Sequence, residues 1–428
     1  MICGKTIWKP LAQKAVTGRA RRFRMTKKQP KWPDQLTAPG LYLHVPFCQN
    51  LCPYCPYNRV EYSDGLFMAY EQAVKQEIDL YASCLHGKQF TSLYIGGGTP
   101  TVNWRGLLSI LQHLKKRIGD VPDICVELHP GDMDIDCLSA LKDAGVTMLS
   151  IGVESTSDSV LQRIKRSHDG QTGVGAVRRA LQMGFESVNV DLMFALPDQT
   201  REEWQADVRT VVDLGVDQLS TYPMFSFPYS DMGKSRGIRK VERPPHQLIK
   251  GMLRFTDEYC EANGLHRCAV WSWLKPGKGK FSSITRHHYI GFGPSAASMT
   301  GSNFYVNTFD VIAYASKLPT ERPVAVSMRV GRRLEMAYWL YWRVYELKIS
   351  DSDFQGVFGK DASLDAEFGR LLHPLIPMKL LERVDGGYRV TKLGAYWIHR
   401  LQNEYSLSYT NHLWGTCQKE PWPREVRL

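Results

Sequence analysis

From about residue 41 to 224, short apolar, β-branched runs alternate with longer stretches of helical periodicity. Strands are predicted at 41–45, 92–96, 123–128, 147–153, 187–194 and 217–224, and helices at about 65–84, 104–118, 135–144, 157–183 and 201–214. The strands are apolar along most of their length, as strands covered on both faces are. Thr200 and Glu203 form a capping box ahead of the last helix. Gly145, Gly184 and Gly215 stand just past predicted helices, where a left-handed cap is wanted. Six βα units need a parallel sheet. They are too few for a closed eight-fold barrel, so the α/β class takes the form of an open, curved barrel or a doubly wound sheet.

Beyond residue 225 prolines, glycines and aromatic residues become frequent. Residues 323–347 return to helical periodicity with an aromatic face of Tyr338, Trp339, Tyr341 and Trp342. Residues 363–410 then read as a helix, a strand, the turn Asp385-Gly386-Gly387, a second strand and a final helix from Lys392, which resembles a winged-helix module. The predicted organisation is a basic tail at 1–38, a six-unit core at 39–225, a barrel-closing substrate region at 226–320 and a C-terminal helical, winged-helix-like domain at 321–428.

The net charge of +11 suggests a nucleic-acid partner until its distribution is read. Lys5, Lys9, Lys14, Arg19, Arg21, Arg22, Arg24, Lys27, Lys28 and Lys31 precede the first acid, Asp34, and the rest of the chain is close to neutral. The tail therefore reads as a solvated accessory dispensable for chemistry, Met25 offers a second start, and no nucleic-acid partner is expected. No run of eighteen apolar residues and no compact apolar stretch at the N-terminus occur, so neither a membrane partner nor a secretory leader is expected. Seven of the ten cysteines are scattered singly, as reduced thiols of a cytoplasmic protein are.

The other three are clustered. Cys48, Cys52 and Cys55 follow the first strand, at the strand end where ligand chemistry collects in parallel βα arrays. One short loop with this spacing can wrap three corners of a cubane and leave one iron open. A structural zinc site needs a fourth ligand, and only His44, inside a strand, is near. Gly96, Gly97, Gly98 and Thr99 end the second strand and allow close backbone approach. Glu127, Glu154 and Asp191 are acids in apolar strands, costly to bury unless paired, and placed to face one mouth.

The segment LYLHVPFCQNLCPYCPYNR resembles the cluster loop of radical S-adenosylmethionine (SAM) enzymes, specifically the oxygen-independent coproporphyrinogen III oxidase-like branch. The resemblance runs from Tyr42 to about Asn307 and more weakly through the C-terminal module. It implies an open (β/α)6 partial TIM barrel and a [4Fe–4S] cluster on Cys48, Cys52 and Cys55. SAM would chelate the open iron and be cleaved to methionine and a 5′-deoxyadenosyl radical, with an electron from a donor such as flavodoxin or ferredoxin. Tyr42, Tyr54, Gly96, Gly97, Gly98, Thr99, Glu127, Glu154, Arg166 and Asp191 fall at SAM-contacting positions, Arg166 suiting the SAM carboxylate.

The implied reaction modifies a small molecule, tetrapyrrole-like or otherwise conjugated. Two alternatives accompany it: a methyltransferase or cyclopropanase using two SAM molecules, and a haem chaperone. The family usually has Gln where this chain has Glu154, and the true oxidases carry a fourth cysteine where it has Tyr57. Radical generation is thus expected, and conversion of coproporphyrinogen III is not. Residues 291–301 resemble the segment that closes over the active site in the oxidases. Trp271, Trp273 and the run from Arg286 to Tyr289 suit a flat anionic substrate and equally an ordinary aromatic core.

Overall fold

A computed structural model describes residues 23–33, 36, 38–224, 227, 230, 244–282 and 287–428, the side chains of 399 and 401–408 excepted. The six predicted strands appear as β1 (Gly40–Val45), β2 (Leu93–Gly97), β3 (Ile124–Leu128), β4 (Met148–Glu154), β5 (Ser187–Phe194) and β6 (Gln218–Pro223). Each pairs in parallel with the next. Helices α1 (Asp64–Leu85), α2 (Trp104–Ile118), α3 (Ile135–Asp143), α4 (Asp158–Arg163), α5 (Gly170–Gln182) and α6 (Arg201–Asp213) fill the crossovers. The order has no reversal, which removes the doubly wound alternative.

The sheet does not close on itself. Beyond β6 it continues through the antiparallel strand Ser272–Leu274, and beyond β1 through the parallel strand β7 (Tyr289–Phe292). The antiparallel strands Ala297–Thr300, Asn303–Asn307 and β8 (Val324–Arg329) follow, within a fourteen-stranded open sheet among the described residues.

Alternation along the strands assigns their faces. Leu149, Ile151 and Val153 of β4 and Val188, Val190 and Leu192 of β5 join the apolar layer beneath the helices. Ser150, Gly152, Glu154, Asn189 and Asp191 are thereby turned to the opposite, concave face. The capping box of Thr200 and Glu203 forms, and Gly145, Gly184 and Gly215 take φ of 86°, 69° and 84°.

Four sequence expectations are corrected. Residues 157–183 are not one helix: α4 stops at Arg163 and α5 starts at Gly170. Asp169 caps α5 by accepting from Thr172 N, and a Cβ on Gly170 would lie 2.1 Å from the Thr156 carbonyl oxygen, so tertiary packing fixes the break. Residues 323–347 begin with strand β8, and helix α7 covers only Arg332–Tyr345. Residues 24–33 are no free tail. Arg24–Thr26 is a strand between β8 and Glu425–Arg427, Met25 is fully buried, Arg24 meets Glu425 at 2.5 Å, and Trp32 packs under the Arg322 guanidinium. Residues 1–22 lie outside the described residues. Finally, 291–301 forms a hairpin beside β1 rather than a cover over a cavity; Gly291 and Gly293 are there because a Cβ would strike the Ala297 and His44 carbonyl oxygens.

The C-terminal part follows α7 with the strand Lys348–Ser350, helices Asp351–Phe358 and Leu364–Leu372, the hairpin of Leu381–Val384 with Gly387–Val390, and helix α8 (Lys392–Cys417). Its three strands form a separate sheet over a core built on Trp339, Phe354, Phe368 and Tyr388. The Tyr345 carbonyl accepts from Val270 N at 3.0 Å and Glu346 meets Lys280 at 3.0 Å, which docks the end of α7 on the barrel rim. Among the described residues no helix is long and apolar enough to cross a membrane.

Candidate functional site

The cysteine loop leaves the carboxyl end of β1 and is stapled at its base. Phe47 and Cys48 pair in parallel with Val60 and Glu61, and Tyr62 N donates to the Cys48 carbonyl at 3.0 Å. His44 Nε2 meets the Asn58 carbonyl at 2.8 Å, and Arg59 donates to the Cys52 carbonyl. Fixed ends hold the short chain between them in one shape.

The glycine run has a mechanical reason. A Cβ on Gly98 would lie 2.6 Å from the Phe47 carbonyl oxygen and 3.0 Å from Cys48 Sγ. Gly97, at φ 121°, would strike the His44 ring. A Cβ on Gly96 would lie 2.7 Å from the Glu127 carboxylate, so Gly96 makes room for an acid rather than for a ligand. Thr99 Oγ1 points at Cys48 Sγ across 3.7 Å.

A cavity of about 620 Å³ sits on the concave face and brings together Cys48, Cys52, Cys55, Tyr54, Gly97, Gly98, Thr99, Glu127, Glu154, Arg166 and Asp191. Tyr42 and Gly96 are not in its wall. The Tyr42 hydroxyl instead bonds His44 Nδ1 at 2.7 Å, bracing the histidine that holds the loop.

The acids are held individually. Glu127 accepts from the Tyr94 hydroxyl and from Gly97 N at 3.1 Å. Asp191 accepts from Ser150 at 2.7 Å and Asn189 at 3.0 Å, and burial pushes its carboxyl up to about 7. Glu154 lies at a β-bulge with φ 68°, accepts from the Tyr222 hydroxyl at 2.5 Å and stands 3.8 Å from Arg166. Left-handed backbone at a non-glycine residue is strained, and such strain is characteristic of functional sites. Arg166 comes from the break between α4 and α5; its Nη1 donates to Cys52 Sγ at 3.4 Å and its Nη2 to the Gly152 carbonyl.

The donor set and the cavity fit an iron–sulfur cluster with a polar ligand. Among the described residues the three cysteine sulfurs do not converge within 4.8 Å of one another, so they do not frame a single ion. Burial raises the Cys48 thiol and pushes Cys55 up to about 12, so their ionisation needs the positive charge of bound iron. Tyr54 Oη, Arg166 Nε and Thr221 Oγ1 are buried at the cavity wall with no partner among the described residues. Such atoms are costly unless a ligand satisfies them.

Several wall residues escaped the sequence reading. Ser150, Asn189 and Ser220 form a hydrogen-bonded ladder across β4, β5 and β6, with Asn189 to Ser150 at 2.6 Å and Ser220 to Asn189 at 2.9 Å. What groups them is the register across β4, β5 and β6, which sets all three on the face that carries Asp191. Trp271 reaches the wall, whereas Trp273 is core, fully buried and donating to Asp257 at 3.0 Å. Arg286 lies outside the described residues. Tyr57 stands half-exposed at the rim, its ring 6.2 Å from Trp414 of α8.

The sequence model of the family described as "Radical SAM superfamily" matches residues 42–211. The chain is 27% identical over 377 residues to the haem chaperone HemW of Bacillus subtilis, covering 82% of this chain and 95% of that protein. It is 25% identical over 392 residues to the oxygen-independent coproporphyrinogen III oxidase of Escherichia coli, covering 85% and 84%. The solved structure of the Escherichia coli enzyme, HemN, superposes with a TM-score of 0.75 at 21% identity over 92% of this chain and 94% of that one, and so shares the fold.

Proposed function

Because the chain carries a radical SAM domain and so belongs to that superfamily, we propose that it is an enzyme that abstracts hydrogen from a tetrapyrrole-like or other conjugated small molecule. The family's [4Fe–4S] cluster and SAM together supply a one-electron carbon–sulfur cleavage that begins such an abstraction. Cys48, Cys52 and Cys55 would hold the cluster, with Gly98 keeping backbone clear of the Cys48 sulfur. Glu127, Glu154, Arg166 and Asp191 would take the polar groups of SAM, and Tyr54 and Thr221 carry hydroxyls still lacking partners among the described residues.

The observation that carries the reading is one cavity in which the cysteine loop, a polar floor and an aromatic rim meet. Trp271, Phe281 and Tyr345 are also in its wall, and a flat conjugated ring suits them. Tyr57 occupies the rim where the oxidases have a fourth cysteine, and a phenol cannot supply a thiolate there. The substrate is therefore a conjugated ring other than coproporphyrinogen III.

The test is anaerobic turnover with SAM and dithionite, adding coproporphyrinogen III or a haem-type ring. The reading predicts 5′-deoxyadenosine release stimulated by a ring substrate that is chemically altered, and no protoporphyrinogen. Protoporphyrinogen formed over many turnovers would restore the plain oxidase reading. Identity to HemW supports a second reading, a haem chaperone; tight haem binding with no altered ring and no deoxyadenosine would favour it.

A further inference from the structure

The end of α7 remote from the cavity carries side chains that the proposed reaction does not use. His287 and His288 immediately precede β7, and Glu335 lies in the first turn of α7. His287 Nε2 and His288 Nε2 both face the same oxygen, Oε1 of Glu335, at 3.2 and 2.9 Å. All three ligand atoms lie within 4.8 Å of one another, and among the described residues no other trio of His, Cys, Asp or Glu does so. None of the three lines the catalytic cavity. Glu335 is about 15 Å along the helix from Tyr345, which does.

One imidazole is enough to satisfy a carboxylate oxygen as an ion-pair partner. Two imidazole nitrogens and one carboxylate oxygen turned to a common point are what a tetrahedral ion asks of a protein, with the fourth position left to water. The backbone holds the ligands in place without an ion. The His288 carbonyl accepts from Gly40 N at 2.9 Å, at the register where β7 joins β1. The His287 ring packs edge-on against Phe358 at 5.4 Å, and the Tyr289 and Tyr338 hydroxyls meet at 3.3 Å between β7 and α7. Preset ligands on two elements lower the ordering cost of binding.

We propose that His287, His288 and Glu335 bind one divalent transition-metal ion of the zinc class, separate from the cluster, which ties barrel strand β7 to helix α7 of the C-terminal part. Two nitrogens and one oxygen, with no thiolate, suit zinc and its first-row neighbours over calcium or magnesium.

The test uses the full chain carrying its cluster. Anaerobic protein is dialysed against buffered zinc, and zinc and iron are counted per chain by mass spectrometry, alongside thermal unfolding with and without zinc. Wild type should retain one zinc and unfold at a higher temperature with it. His287→Ala and Glu335→Gln should each bind zinc roughly tenfold more weakly or worse, lose the thermal shift, and keep full iron content. Should His287→Ala fail to fold, Glu335→Gln, which keeps the shape of the side chain, carries the comparison. Zinc retention unchanged in Glu335→Gln and His288→Ala, or no zinc retained by wild type, would overturn the proposal.

Discussion

Arg166 reaches across from the break between α4 and α5 to place Nη1 3.4 Å from the sulfur of Cys52. Its other terminal nitrogen stands 3.8 Å from the Glu154 carboxylate. One guanidinium thus links the cysteine loop to the acid at the end of β4. Arg166→Ala should leave iron content intact and lower SAM cleavage about 10- to 100-fold, the worth of a charged hydrogen bond of roughly 1.5–3 kcal/mol. Deoxyadenosine formation against iron content measures this; equal loss of both would mean that Arg166 only supports the loop.

Gly98 gives a sharper structural test. Its missing Cβ would overlap the Phe47 carbonyl at 2.6 Å and crowd Cys48 Sγ at 3.0 Å. Backbone on one side and the Cys48 sulfur on the other leave no soft neighbour to yield. Gly98→Ala should therefore reduce bound iron to a small fraction of wild type while circular dichroism remains that of a folded protein. Full iron content in this variant would show that the loop can move away from β2.

A pH dependence comes from Glu77 of α1, fully buried and outside the cavity wall. It accepts from the Tyr314 hydroxyl at 2.5 Å, Gly293 N at 2.8 Å and Asn307 at 2.8 Å. Burial outweighs these bonds and pushes its carboxyl up to about 7 from 4.5. The folded state then binds this proton more tightly than the unfolded state, so stability falls as pH rises from about 4.5 to 7 and levels off above. The loss amounts to about 3 kcal/mol at most. Glu77→Gln should flatten that part of a denaturant-midpoint profile, and an unchanged slope would exclude Glu77 as its source.

The N-terminal strand should matter for stability. Met25 is fully buried between the sheet and helix α8, against Val306, Val326 and Leu413. Met25→Ala should cost about 2–4 kcal/mol, the usual range for emptying a core site. A change below about 0.5 kcal/mol in chemical unfolding, the size of an ordinary surface substitution, would return residues 23–33 to the status of an accessory.

The six core strands were legible because their apolar runs, the capping box at Thr200 and the capping glycines agree at every level. The cysteine loop was legible because its spacing is local. Arg24–Thr26 was not: a three-residue edge strand inside a basic stretch has no periodicity of its own and depends on partners some 300 and 400 residues away. The break at 164–169 was hidden for a similar reason. Helical periodicity runs through it, and the contact that forbids continuation, Gly170 against Thr156, is tertiary. Helical periodicity over 323–347 overrides the strand preference of Val324 and Val326, since the strong aromatic stripe of α7 begins just after Val324–Arg329. Ser150, Asn189 and Ser220 carry no signal in the sequence, because a serine or asparagine in a strand is ordinary and only cross-strand register shows that they share a face with Asp191.

Cys48, Cys52 and Cys55 are proposed to hold a redox-active cluster beside Glu127, Glu154 and Asp191. The most direct measurement is iron content and deoxyadenosine release, side by side, in anaerobically reconstituted wild type and three single cysteine variants. The predicted result is about four irons per chain, as in a cubane, with SAM cleaved by wild type under dithionite, and both lost in Cys48→Ala, Cys52→Ala and Cys55→Ala while Cys84→Ala and Cys268→Ala keep them. Full iron content in any variant of the triplet, or a fully loaded wild type that never cleaves SAM, would contradict it.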